Sequence, residues 1–237
     1  MKIKPASIAI AMLSLSIGLP ASAALLTTTN KSVFDTQIGL LGYTAQVTGF
    51  DGPTPPIAIA NGGSYDGIQF NVNTSHALDT LTGFQISNGS TTTSAGNRVG
   101  GVYQSFQTAG SFYSGDIIDL VFGEVSAFGL YIISSGTPQD AQVSLTISGS
   151  TASLSNANRE ILVSPTYAFF MGIYDNAGAT FTSARLASTD GLGGSGAFNF
   201  YVDDIVRATG EAPVPGTLLL MLSAVLGLAV VRRPSVR

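Results

Sequence analysis

The sequence predicts an all-β fold, a two-sheet antiparallel β-sandwich of jelly-roll type, on two observations. Between Leu25 and Arg207, strand-like runs recur every roughly 8 to 15 residues with turn residues between them. The same stretch is rich in Ser, Thr, Gly and Asn, which favour turns and strand surfaces, and lacks long Lys/Glu/Gln-rich helical runs. Many short strands without alternating helices point to two packed antiparallel sheets.

Ser32 to Ile38 reads as one short helix, with Ser32 as N-cap and Asp35 three residues on. Strands are expected at 43–50, 67–72, 81–87, 101–106, 117–122, 127–134, 142–148, 160–163, 167–174, 179–186 and 197–206. Phe50, Phe70, Phe122, Phe128, Tyr131, Phe169, Phe170, Phe198 and Phe200 supply the core. Ser87 to Gly96 reads as a flexible loop by composition.

Outside this stretch the chain has two apolar ends. Lys2 and Lys4 form a positive region, Ile8 to Leu19 an apolar one, and Ala21-Ser22-Ala23 a small-x-small cleavage site. The chain divides into a signal peptide (1–23), a β domain (24–211) and a tail (212–237), with Ala24 starting the mature protein. In the tail, Val214 to Val231 carries no charge and is followed by Arg232-Arg233. As a helix these 18 residues would span about 27 Å, at the short end for a bilayer core. The arginines would stay on the cytoplasmic side and the domain outside it. Pro213 and Pro215 stop such a helix from entering the domain.

Charged residues make up only 10% of the chain, against about 25% in an average soluble protein. Between Lys31 and Glu211, five basic residues stand against 14 acidic ones, a net charge of −9. Such a surface repels nucleic-acid phosphates and is compatible with divalent cations. With no cysteine there is neither a disulfide framework nor a thiolate metal site. His76 is the lone histidine, too few for a histidine zinc site, and no nucleophile-elbow pattern accompanies it. Gly191-x-Gly193-x-x-Gly196 runs into a strand-like segment and reads as a turn, not a dinucleotide fingerprint. Asp116 and Asp119 flank a strand start, with a solvated strand edge the expected setting. The sequons at Asn30, Asn73 and Asn88 are what so Ser/Thr-rich a chain contains by chance.

The adjacent acids Asp203 and Asp204 point to opposite faces of a regular strand, so one faces inward or lies at the rim. A buried carboxylate wants a hydrogen-bond donor, an arginine or a cation. Asp51 follows an early strand and is a candidate second ligand for a structural calcium ion.

Ala212-Pro213-Val214-Pro215-Gly216-Thr217, the leucines after it and Arg232-Arg233 resemble the PEP-CTERM sorting signal of Gram-negative bacteria. The family's Pro-Glu-Pro is Pro213-Val214-Pro215 here, as in related signals with an aliphatic residue between the prolines. The resemblance implies recognition by the membrane protease exosortase. It further implies passage through the inner membrane to the cell surface or extracellular matrix, where the protein acts without catalysis beside exopolysaccharide or biofilm. Gly49-Phe50-Asp51-Gly52, Ala127-Phe128-Gly129-Leu130 and Phe200 to Ile205 resemble short patterns of domains carried by such proteins. The last also resembles the final strand of galactose-binding-like jelly rolls, which lies beside the first strand and near a structural calcium. Two alternatives stand beside this reading, a lectin-like carbohydrate-binding module and a permanently anchored membrane protein.

Overall fold

The structure, a computed structural model, describes residues 25–210 except 53, 76–78, 90–91, 95, 106–108 and 190–197. The signal peptide with Ala21, Ala23 and Ala24 lies outside the described residues, as does the tail with Pro213, Val214, Pro215, Arg232 and Arg233. His76 and the 191–196 glycines also lie outside them.

Among the described residues the chain forms seventeen strands in two antiparallel sheets. The larger sheet has at its centre β11 (Ala127–Ser135), paired on one side with β15 (Thr166–Asp175) and on the other with β17 (Asn199–Thr209). Next to β17 come β7 (Asn97–Tyr103), then β6 (Leu81–Asn88) and β3 (Ile57–Ala60). The edge pieces β1 (Leu25–Thr28) and β14 (Glu160–Val163) pair with β15. β2 (Thr44–Thr48) pairs with the end of β17, and β8 (Ala109–Gly110) and β9 (Phe112–Tyr113) extend the sheet on β7 and β17. The smaller sheet runs β13 (Ser150–Ser153), β12 (Val143–Ile147), β16 (Phe181–Ser188), β10 (Ile117–Val125), β5 (Ile68–Thr74) and β4 (Ser64–Tyr65).

One hydrophobic core joins the sheets. Phe70, Leu120 and Leu186 from the smaller sheet belong to the same buried cluster as Phe84, Phe128, Phe169 and Phe200 from the larger. Phe122 stacks on Phe128 at 4.6 Å between ring centres, a contact from sheet to sheet. All nine aromatics expected in the core are buried. Two of them, Tyr131 and Phe170, face the other side of the larger sheet, into a second cluster with Phe34, Ile38 and Tyr43.

That second cluster is roofed by α1 (Lys31–Leu40), the one α-helix among the described residues. Its cap is Asn30 and not Ser32: the Asn30 side chain accepts from the Val33 amide at 3.1 Å. Asn in an extended conformation satisfies an amide the first turn leaves unpaired. Phe34 meets Phe170 edge-on at 5.2 Å. Gly129 and Gly172, paired across β11 and β15, make this fit. A Cβ on Gly172 would lie 2.6 Å from the Phe34 ring, and one on Gly129 2.5 Å from that of Phe170.

Two expectations need correcting. The strand expected at 101–106 starts earlier, as β7, because Gly100 and Gly101 sit inside it instead of ending it. The carbonyl of Gly110 comes so close to Gly100 that no Cβ fits. The segment 87–96 is not simply a loose loop, since Ser87 and Asn88 belong to β6. Gly89 donates to the Gly96 carbonyl at 2.7 Å, closing the rest.

Phe34→Ala should destabilise the domain by about 3–5 kcal/mol, since it empties a fully buried aromatic site. Denaturant unfolding of the full chain measures this; a loss below about 1 kcal/mol would mean that the helix does not brace the sheet.

Candidate functional site

Asp51, Asp203 and Asp204 come together at the junction of β2, β17 and the loop from β6 to β7. The second strand and the last meet here, because β2 pairs with β17 from Thr48↔Ile205 to Thr44↔Thr209. Gly49 to Asp51 leave β2 directly beside the two acids of β17.

The two acids do not alternate as expected. Opposite them, Gly129 pairs with Val206 and Tyr131 with Asp203, so two steps on β11 match three on β17. This extra residue is a β-bulge, and Asp204 takes a positive φ of 38° within it. Asp and Asn tolerate that conformation better than most residues. The bulge turns both carboxylates toward the same hydroxyl. Thr93 Oγ1 lies 2.8 Å from Asp203 Oδ2 and 2.7 Å from Asp204 Oδ2.

Ser94 repeats the arrangement one residue on. Its Oγ lies 2.6 Å from Asp51 Oδ2 and 3.0 Å from Asp204 Oδ1. Backbone amides complete the set: Thr93 and Asp204 donate to Asp203, and Asn97 donates to Asp51. Asn97 Nδ2 donates to the Phe50 carbonyl at 2.8 Å, holding the Asp51 turn in place. Gly49 leaves open the space between two of the acids, where a Cβ would stand 3.5 and 3.6 Å from Asp204 and Asp51 oxygens.

A hydroxyl has one proton to donate. Thr93 and Ser94 each stand against two carboxylates, so two protons serve four close contacts. No salt bridge among the described residues reaches these acids. Lys31, Arg185 and Arg207 pair with Asp35, Asp119 and Asp66, while Arg98 and Arg159 lie over the rings of Tyr201 and Tyr167. Asp203 is wholly buried. Burial, and then the negative charge of Asp204, push its carboxyl up to about 6, against the opposing pull of the Thr93 and Asp204 hydrogen bonds.

Asp203 in such a site can take up a proton near neutrality. The carboxylates, hydroxyls and backbone oxygens are ligands of the type that calcium prefers. Among the described residues, no three acidic, histidine or cysteine side chains are arranged around a single ion; these three acids are arranged around two hydroxyls.

Asp116 is not on a solvated edge. It is fully buried, accepting from the Tyr103 hydroxyl and from the Tyr113 amide, the latter at 2.9 Å. Burial and Asp116 raise the Tyr103 phenol well above its ordinary range. Asp119 faces outward and pairs with Arg185, so the two acids do not converge on one site. The sequence reading missed Thr93, Ser94 and Asn97. The run Thr91-Thr92-Thr93-Ser94 was the available signal, a cluster of hydroxyl donors in an acidic, cation-poor chain. The chain matches no protein-family model, no curated protein and no solved structure.

The raised Asp203 sets a pH dependence. Its folded-state value of about 6 exceeds the ordinary 3.9 of an unfolded Asp. Its contribution is therefore most favourable below about pH 4 and is lost as pH rises through about 6. Asp204→Asn removes the neighbouring charge, suits the positive φ, and can donate to Thr93. The variant should be more stable than the parent by about 1 kcal/mol at pH 8 without divalent cations, and the gap should shrink at pH 4. Thermal unfolding at the two pH values measures it; equal stability at both would remove the repulsion from the account.

Proposed function

We propose that the chain is an exported, noncatalytic cell-surface or extracellular-matrix protein, sorted by exosortase and associated with exopolysaccharide or biofilm. The observation that carries this reading is the layout of the two ends. A charged, apolar and small-x-small leader (1–23) precedes the β domain, and Pro213-Val214-Pro215, an uncharged span and Arg232-Arg233 follow it. The domain between them is read as a jelly-roll-like sandwich. Its two antiparallel sheets and shared core support that reading.

Among the described residues, no helix is long and apolar enough to cross a membrane. The span 214–231 lies outside them, and under this reading it holds the protein in the inner membrane until the tail is cut. A hydrolase reading draws no support from Asp116 and Asp119, one buried against Tyr103 and Tyr113 and the other paired with Arg185 on the outer face. Calcium across Asp51, Asp203 and Asp204 belongs to the proposal as a structural accessory, supported by the shortage of donors around these acids.

Processing tests the main reading. N-terminal sequencing of the exported protein should begin at Ala24. Mass spectrometry of the surface or medium fraction should find a chain without Leu218 to Arg237. Protein confined to the inner membrane with Arg237 present would make the tail a permanent anchor.

Calcium should raise the melting temperature of the full chain, and a chelator should lower it, because an ion bound only by the folded state stabilises it by mass action. Asp204→Asn should abolish the response. A melting temperature unmoved between millimolar calcium and chelator would leave the acids as hydrogen-bonded structural groups.

A further inference from the structure

The outward face of the smaller sheet carries a continuous polar row. Thr151 on β13 pairs with Thr146 on β12, which pairs with Arg185 on β16. Arg185 pairs with Asp119 on β10, which pairs with Asn71 on β5. Five adjacent strands thus place five polar side chains in line at right angles to the strand direction. At about 4.8 Å per strand the row is about 19 Å long. The row's inward neighbours, Leu120, Leu145 and Leu186, are in the core, so alternation alone keeps it facing solvent.

The row is fixed by its own hydrogen bonds. Arg185 Nε donates to Asp119 Oδ1 at 2.7 Å, and Arg185 Nη2 to Asp119 Oδ2 at 3.2 Å. Asn73 Nδ2 donates to Asp119 Oδ2 at 2.7 Å, and the hydroxyls of Thr146 and Thr151 are 3.0 Å apart. The guanidinium beside Asp119 holds its carboxyl below the usual carboxylate range. Over the middle of the row, across β12, β16 and β10, lies an open groove of about 410 Å³ lined by Asp119, Val121, Thr146, Ser148, Ser183 and Arg185. Its lining includes the partly exposed Val121 side chain, an apolar member among polar ones.

We propose that this groove binds a neutral polysaccharide laid across the strands, an inference that rests on the surface-protein reading and names the site through which the domain meets its matrix. A sugar ring offers vicinal hydroxyls, each both donor and acceptor, and an apolar C–H face. The groove answers with the guanidinium N–H groups that Arg185 does not give to Asp119, the remaining carboxylate lone pairs, threonine and serine hydroxyls, and the apolar Val121. Arg185 and Asp119 cancel in charge, so the row attracts no ion strongly, while the domain as a whole, at −9, repels acidic chains. A protein partner is the weaker fit, since the row presents none of the aromatic anchors that dominate protein interfaces. Its linear, evenly spaced form suits a repeating polymer.

The test is electrophoresis of the full chain, in a polyoxyethylene detergent without sugar headgroups, through gels containing dextran, laminarin, levan, galactomannan, alginate or hyaluronan. At least one neutral glycan should retard the protein, and alginate and hyaluronan should not. Arg185→Ala should weaken the retardation about tenfold or more, from the loss of charge-assisted hydrogen bonds. Thr146→Val, which keeps shape and deletes one hydroxyl, should weaken it at an unchanged melting temperature. It decides the matter if Arg185→Ala also loosens the fold. Ile161→Ala, on the exposed edge of the other sheet, should change nothing. Retardation by no neutral glycan, stronger retardation by the acidic ones, or wild-type binding by Thr146→Val overturns the proposal. Such an outcome would leave the processing of the two ends untouched, so the two readings fail separately.

Discussion

Burial on both faces of β11, β15 and β17 decides where charge can go in this domain. One face of these strands meets the smaller sheet, and much of the other lies under α1 and its aromatic cluster. A charge there loses water and must be given hydrogen bonds or a counter-charge. Only four charged residues occur on the three strands, and each stands where irregular backbone or a partner is at hand. Asp175 ends β15 and accepts from the amides of Ala177 and Ala179, both at 2.7 Å. Arg207 reaches Asp66 and Thr48. Asp203 and Asp204 sit at the bulge, where Thr93 and Ser94 reach them.

The smaller sheet meets the opposite constraint. It buries one face only, and so its strands alternate in and out. That face collects the ion pair and hydroxyls that the larger sheet has no room for. The two sheets thus divide the chemistry: a cluster of acids around the buried Asp203 at one junction, and a charge-balanced polar surface on the other side of the core.

The sequence made the class of fold legible because turn residues and apolar alternation repeat along the whole domain. The long strands β10, β11, β15 and β17 lie close to where alternation puts them. Strands of two to four residues, such as β4, β8 and β9, leave too short a pattern to read. At the site, the three acids were legible from adjacency and charge shortage, but their geometry was not. Alternation sent Asp203 and Asp204 to opposite faces, and only the register against β11 reveals the bulge that unites them. Asn30 displaced Ser32 as helix cap for a comparable reason, one of local backbone choice between two competent residues. The polar row on the smaller sheet depends on the register of five strands, which no single segment encodes.

The chain leaves the described domain from β17, a strand held on both sides, by β11 along its length and by β2 at its far end. A load applied through the segment after Thr209 would therefore not peel away an edge. It would pull along the axis of an interior strand and strain many ladder hydrogen bonds at once in shear, while the bulge at Asp204 resists sliding by one register. A protein held by its C-terminal end would carry tension through an interior strand of its larger sheet.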